Sequence, residues 1–369
     1  MKAKRFVSLK SIAERIGVSR MTVSLALRDD GRISEPMRER VRAVALELGY
    51  IPNPRIGALM AETARTRHGN SGETLAFMTS EPTRDGWKQF DPCGTFKSIE
   101  LRAAEHGYRV EPWWIADPEL TPARINQILW ARGIRGVIIP NISRQFFTDW
   151  GGTLPIEWDR FCVVEIGGGL RKPEINQVLH DHQAGMFMAL DELEALGYRR
   201  IGLCLRSEDD LRTHHRWSGA YFIWRALRGY ESVLQPLIVN ELRPDVVRRW
   251  VEKNRLEAVV SLRVPPLEKW GLTIPDDIGF AALHLWGEDT GRASGVDQKD
   301  GEIAAAAVDM LVTLLRRNQR GVPAHPIRWV MKGRWVPGET ARTLGPVACG
   351  LPRIENEWLE ISPERKHRS

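Results

Sequence analysis

Leu9, Ile12, Ala13 and Ile16 recur at i, i+3, i+4 and i+7, which puts all four on one side of an α-helix. Ser8 stands before them as an N-cap. Gly17 follows as the residue best able to end the helix in a left-handed conformation. Val18 is placed to plug the angle of a turn, and Ser19 to cap a second helix from about Arg20 to Leu27. A third helix opens at Ser34, with Glu35 at the positive end of the helix dipole and Pro36 in the first turn. Its apolar side is Met37, Val41, Val44, Ala45 and Leu48, and Gly49 is its expected C-cap. Tyr50-Ile51-Pro52-Asn53-Pro54 breaks the pattern and biases the chain toward an extended path. Arg55 to Ala64 then reads as a short helix, weakly anchored by Ile56, Leu59 and Met60, that needs a partner to persist.

Beyond residue 73 the period changes. Short apolar runs at Leu75–Met78, Tyr108–Ile115, Gly136–Pro140, Phe161–Ile166, Ile201–Leu205, Pro236–Val239, Ala258–Leu262 and Ile278–Leu283 read as buried strands. Amphipathic helices such as Thr95–His106, Gly185–Leu196 and Ile303–Arg317 lie between them. Alternating β and α units predict parallel sheets covered on both faces, here two doubly wound parallel-sheet halves. Ligands of such folds sit at the carboxyl ends of strands.

Charge separates the two regions. Residues 1–67 hold 14 Lys and Arg against seven acids, a net of +7 in a chain whose total is +6. The remainder is therefore close to neutral, and the excess positive charge sits in the segment with the small helices. That is the electrostatic footprint of a phosphate-binding module. All 14 tryptophans lie from Trp87 onward. No uninterrupted apolar run of about 18 residues exists, so no transmembrane helix is expected. The basic start, Met1 to Phe6, is followed by no apolar stretch of the kind a secretory leader carries. Cys93, Cys162, Cys204 and Cys349 are scattered, which fits thiols in a reducing, cytoplasmic setting and indicates neither zinc nor disulfides.

Helix, glycine-containing turn, helix within about 20 residues is the helix-turn-helix pattern, whose second helix enters the DNA major groove. Arg20 and Met21 would then meet base edges, with Ser24 and Leu25 one turn later. Arginine suits guanine, and an apolar side chain suits a thymine methyl. Ser8, Ser19, Thr22 and Arg28 are placed to hold phosphates. An αα-hairpin buried in a core is the competing reading, and it would make Met21 and Leu25 core residues.

The run from Val7 to Met60 resembles the DNA-binding headpiece of the lactose-repressor (LacI/GalR) family. The matching features are Ile12-Ala13, Gly17-Val18-Ser19, Thr22-Val23-Ser24, Ile33-Ser34, Leu48-Gly49-Tyr50 and Pro52-Asn53, in order and at family spacing. The likeness extends more weakly to about residue 340 through Leu196-Gly197-Tyr198-Arg199-Arg200-Ile201-Gly202 and Leu272-Thr273-Ile274-Pro275-Asp276-Asp277-Ile278. It implies a small all-α helix-turn-helix headpiece at 1–50, a hinge at 51–68, a periplasmic-binding-protein-like α/β effector domain of two lobes at 69–342, and a loosely ordered tail at 343–369. It further implies a homodimeric transcriptional repressor on operator DNA, with Asn53 and a minor-groove wedge at Leu59 in the DNA contact set. The small-molecule effector it implies is of the class that includes sugars.

Within that likeness, Arg216, ahead of Trp217 and Gly219, matches an effector-contacting arginine, and Glu165 and His180 fall near other contacting positions. Trp87, Phe90 and Trp286 supply candidate stacking surfaces. The chain also departs from the family. Ile56-Gly57-Ala58-Leu59 replaces a hinge that often reads Ala-Arg-Ser-Leu. Ser261-Leu262-Arg263 stands where an Asn-Asp pair is common, and Leu283-His284-Leu285-Trp286 where an acidic pair is common. His180-x-His182 and His214-His215 lack acidic or cysteine partners at ligand spacing, so no metal is expected. With no Gly-Lys-Ser/Thr loop, H-E-x-x-H or G-x-S-x-G, no catalytic group and no cofactor is expected, and the chain does not read as an enzyme.

Overall fold

The structure is a computed structural model, and it describes residues 8–27, 32–48, 50, 73–90, 94–140, 154–170, 172–229, 234–263, 272–289 and 291–344. The N-terminal module is three helices, α1 (Leu9–Ile16), α2 (Arg20–Ala26) and α3 (Glu35–Glu47). Ser8 and Ser19 cap the first two, each hydroxyl oxygen accepting a bond from a backbone N–H, of Ser11 and Thr22 respectively. Gly17 stops α1 at φ 79°, a conformation that costs a glycine little. Ser34 takes the extended backbone of an N-cap, but its side chain makes no capping bond, and α3 closes on Leu48. Gly49 lies outside the described residues, as does the expected helix at 55–64. Ile12, Ala13, Val23, Ala26, Val41 and Ala45 are the buried centre of the module, with Val18 packed against it as a plug. Arg15 on α1 reaches Glu47 on α3 at 3.4 Å.

Replacing Ser19 with alanine should weaken α2 by about 1 kcal/mol, since the orphan Thr22 N–H loses its acceptor. Amide exchange across residues 20–26 should speed accordingly in the full chain. Exchange unchanged from the parent would show that tertiary packing alone holds the helix.

The chain divides into two compact units, the first of which includes this N-terminal module. The first joins residues up to Leu179 with Asp300–Trp329, and the second comprises His180–Lys299 and the chain from Val330 onward. The chain therefore crosses between units three times, after Leu179, Lys299 and Trp329.

The first unit contains β1 (Thr74–Thr79), α4 (Thr95–Glu105), β2 (Arg109–Trp114), α5 (Pro122–Ala131), β3 (Gly136–Ile139), β4 (Cys162–Ile166) and β5 (Asn176–His180). The chain later returns as α10 (Asp300–Arg316) and β11 (Arg328–Met331). Its sheet order is β11-β5-β4-β3-β1-β2, with parallel pairing from β2 through β5. The second unit holds α6 (His182–Ala195), β6 (Ile201–Arg206), α7 (Ser207–Arg212), α8 (Arg216–Leu227), β7 (Leu237–Val239), α9 (Pro244–Asn254), β8 (Ala258–Ser261), β9 (Gly279–Ala282), β10 (Gly295–Asp297) and β12 (Arg334–Val336). Its order is β12-β10-β9-β8-β6-β7, parallel except for the antiparallel β12 edge. Within each unit the first strand is flanked by the second on one side and the third on the other. That is the doubly wound order with a topological switch point.

The eight expected strands are all present within a residue or two of their ends, but two are not buried as expected: β2 and β7 are sheet edges whose residues are exposed or half-buried. β5, β10, β11 and β12 are additions. The helix expected from Gly185 begins at His182, because Asp181 caps it by accepting a bond from Ala184 N–H at 2.9 Å. Cys162 and Cys204 are buried free thiols, and burial pushes them up to about 11 and about 12. No helix of the described residues is long and apolar enough to cross a membrane.

Candidate nucleic-acid interface and ligand edge

The periodicity of α2 separates its faces. Val23 and Ala26 point into the module core, while Arg20 is exposed and Met21 is 69% exposed. Thr22, Ser24 and Leu25 are half-buried. Met21 is therefore no core residue, which removes the main support for the buried-hairpin alternative. A long apolar side chain next to an arginine, both outward at the start of the second helix, is what a base-reading surface needs. Ser8 is exposed at the cap of α1, and Ser19 exposed at the cap of α2. Arg28, Asn53 and Leu59 lie outside the described residues.

In the first unit, Glu165 sits at the end of β4 and is fully buried. One carboxylate oxygen accepts a bond from Leu170 N–H at 2.6 Å and the other from the Gln177 side-chain amide at 2.7 Å. Gln177 in turn accepts from Arg328 at 2.7 Å. Glu165 thus pins the glycine turn 167–169, where Gly167 and Gly168 hold φ of 95° and 93°, to β5 and β11. Burial outweighs these hydrogen bonds and pushes its pKa up to about 7.

The sign of that shift can be tested. Between the ordinary carboxylate value and 7 the folded state binds a proton that the unfolded state has lost, so stability falls as pH rises through this window. The contribution amounts to about 3 kcal/mol at most, from roughly 1.4 kcal/mol per pKa unit. We expect the difference in unfolding free energy between the parent and Glu165→Gln to change steadily from pH 5 to pH 8. A difference independent of pH would contradict a protonated Glu165.

Trp87 lies on a short 3-10 turn, Gly86–Phe90, and packs edge-on against Phe77 and at a tilt against Phe96, with ring centres 5.4 and 4.8 Å away. Phe90 ends the same turn.

In the second unit, Arg216 is the first residue of α8. His214 and His215 before it take left-handed backbone (φ 53° and 59°). The turn is held by buried Asp210, which accepts bonds from His215 Nδ1 at 2.7 Å, the Ser218 hydroxyl at 2.8 Å and Ser218 N–H at 3.2 Å. His180, at the end of β5, is buried and meets the His182 ring at 5.4 Å. His182 meets Trp217 at 5.0 Å. Burial, reinforced by His180, Arg212 and Arg216, keeps His182 neutral, with a pKa well below the ordinary imidazole value. The ring of Trp286 carries the Arg263 guanidinium at 3.2 Å from its centre.

The predicted ligand residues divide between the units: Trp87, Phe90 and Glu165 in the first, His180, Arg216 and Trp286 in the second. Arg206, Arg212 and Arg263 were not among the sequence candidates; Arg206 closes an apolar strand run and Arg263 follows one two residues on, while Arg212 ends a helix. No group of three or more His, Cys, Asp or Glu among the described residues is placed to hold a metal.

A basic helix-turn-helix module is thus followed by two doubly wound units. Residues 8–53 match the family described as bacterial regulatory proteins, lacI family. The chain is 26% identical over 315 residues to the HTH-type transcriptional repressor CytR of Escherichia coli (strain K12), covering 77% of this chain and 84% of that protein. It is 31% identical over 140 residues to the HTH-type transcriptional regulator GntR of the same organism, a match spanning 38% of each. Similar solved structures are a complex of the transcriptional regulator CelR with cellobiose (TM-score 0.55, 19% identity, 91% of this chain and all of that one) and the lac repressor dimer bound to operator and an anti-inducer (TM-score 0.52, 19% identity, 92% of this chain and all of that one). Residues 8–53 thus match the lacI family, and much of the chain is similar to transcriptional regulators.

Proposed function

We propose that the protein is a cytoplasmic repressor that binds a pseudo-palindromic operator as a homodimer, one headpiece per half-site, and is controlled by a small-molecule effector, a carbohydrate or a relative of one. The outward pair Arg20 and Met21 at the start of α2 carries the DNA reading. Ser8, Ser19, Thr22 and Arg28 hold phosphates, Ser24 and Leu25 extend the base contacts, and Asn53 and Leu59 serve a hinge at 51–68. The headpiece is residues 1–50, the effector domain 69–342 and the tail 343–369. Effector binding must favour one arrangement of the domain over another, because a ligand with equal affinity for both shifts nothing. The relatives named above support this reading.

The test is selection of duplexes from a random DNA library by the full chain at two salt concentrations. Enrichment of one palindrome is expected. Purely salt-sensitive binding with no enriched sequence, in the presence and absence of a cellular metabolite extract, would overturn it.

A further inference from the structure

In the second sheet, β6 lies between β7 and β8, so the chain leaves it to one side and returns on the other. A switch point of this kind opens a crevice at the carboxyl ends of the two strands. Arg206 is the last residue of β6, and Arg263 stands two residues beyond β8. Arg212 ends α7, Arg216 begins α8, and His284 lies two residues beyond β9. Their charges share one neighbourhood: Arg206 and Arg212 both act on Arg263, while Arg212, Arg216 and His284 act on His182.

Most of the acceptors at this edge are already committed. Asp209 gives both carboxylate oxygens to Arg206, at 2.8 and 3.1 Å, and Asp210 is used by His215 and Ser218. Glu208 lies in the field of Arg206 and Arg212, and Asp289 in that of Arg263. Among the described residues, Arg212 and Arg263 form no ion pair and no side-chain hydrogen bond. Arg263 is instead stacked on Trp286. The ring nitrogens of His182, which is 4% exposed, and Nε1 of Trp217, which is 1% exposed, also have no hydrogen-bond partner. Guanidinium and indole N–H groups donate and never accept, and the neutral His182 ring adds one donor and one acceptor, so this edge offers donors in excess. A neutral polyol needs acceptors as well as donors. A carboxylate or phosphate needs donors alone, and planar guanidinium forks match it.

We propose that the crevice between β6 and β8 binds a small anion, with a carboxylate or phosphate group held by Arg212, Arg216 and Arg263. This rests on the effector reading above and narrows it: the effector is an acid or a phosphate ester. Stacking on Trp286 orients Arg263 for the contact.

Thermal unfolding of the full chain tests this with malonate and inorganic phosphate, each against sodium chloride at matched ionic strength. At saturating concentration one of them should raise the midpoint by about 3 °C or more over chloride. Arg212→Gln and Arg263→Gln should each remove most of that excess. Malonate exceeding phosphate marks a carboxylate ligand, and the reverse a phosphate ester. No excess over chloride, or an excess kept in both variants, overturns the proposal. Stabilisation by neutral D-glucose, D-ribose or cellobiose in place of the anions would also overturn it while leaving the effector reading intact. Anion binding through these arginines that leaves affinity for the selected operator unchanged would uphold the anion site and sink the regulatory reading.

Discussion

Replacing Trp224 with alanine is expected to lower the stability of the second unit by about 3–5 kcal/mol, a large part of what a domain of this size possesses. The side chain is 1% exposed and belongs to the core shared by α6, α8 and the strands β6, β8 and β9. Its indole Nε1 donates to Asp191 on α6 at 2.7 Å, so the ring both fills the core and ties α8 to α6. Arg228 covers the outer side of the ring, 4.3 Å from its centre, and also bonds Asp191. Alanine therefore loses apolar burial, opens a cavity and removes one bond of a charged network. Trp224→Phe separates these effects, since it keeps most of the apolar area and loses only the donor, with an expected cost of about 1–2 kcal/mol. Urea unfolding followed by far-UV circular dichroism measures both. An alanine variant within about 1 kcal/mol of the parent would show that α8 is not docked as described.

The elements that the sequence revealed most clearly are those in which a single physical rule dominates. Ser8, Ile12, Gly17 and Ser19 each do one local job, and the structure shows each doing it. The buried strands announced themselves as apolar runs. β5 did not, because Asn176, Gln177 and His180 make it look polar although every residue in it is buried. Its polarity is absorbed by long-range partners, Asn176 accepting from Ile327 N–H and Gln177 linking Glu165 to Arg328, and a sequence window cannot contain them. β11 is hidden for the opposite reason: it is largely exposed and rich in long side chains, so it carries no burial pattern. At the proposed ligand edge, likeness to a family pointed to Arg216 alone among the arginines. The arginines around it come from different strands and helices, and only the strand order brings them to one crevice. Glu165 was legible as a residue and not as a role, since nothing local shows that one of its oxygens holds the 167–170 turn and the other the Gln177 amide.

Substituting alanine for Arg20 should cut affinity for the selected operator by about 10- to 100-fold, corresponding to roughly 1–3 kcal/mol for a lost guanidinium–base contact. The residue is exposed and lies outside the buried cluster that includes Val23 and Ala26, so its loss leaves the module core untouched. The Ser19 cap also remains, because the Thr22 N–H bond to it does not involve the Arg20 side chain. The effect should fall on one position of each half-site: duplexes changed there bind the variant and the parent alike, while changes elsewhere still discriminate. Met21→Ala, tested beside it, should relax a different position and leave the salt dependence as it was, since no charge is lost. If Arg20 instead touched only the backbone, alanine would weaken all duplexes by the same factor and reduce the salt slope by about one. Competition binding against a panel of single-base operator variants at two salt concentrations separates these outcomes. A uniform loss with unchanged preference would move the base-reading role of α2 from Arg20 to its neighbours Met21, Ser24 and Leu25.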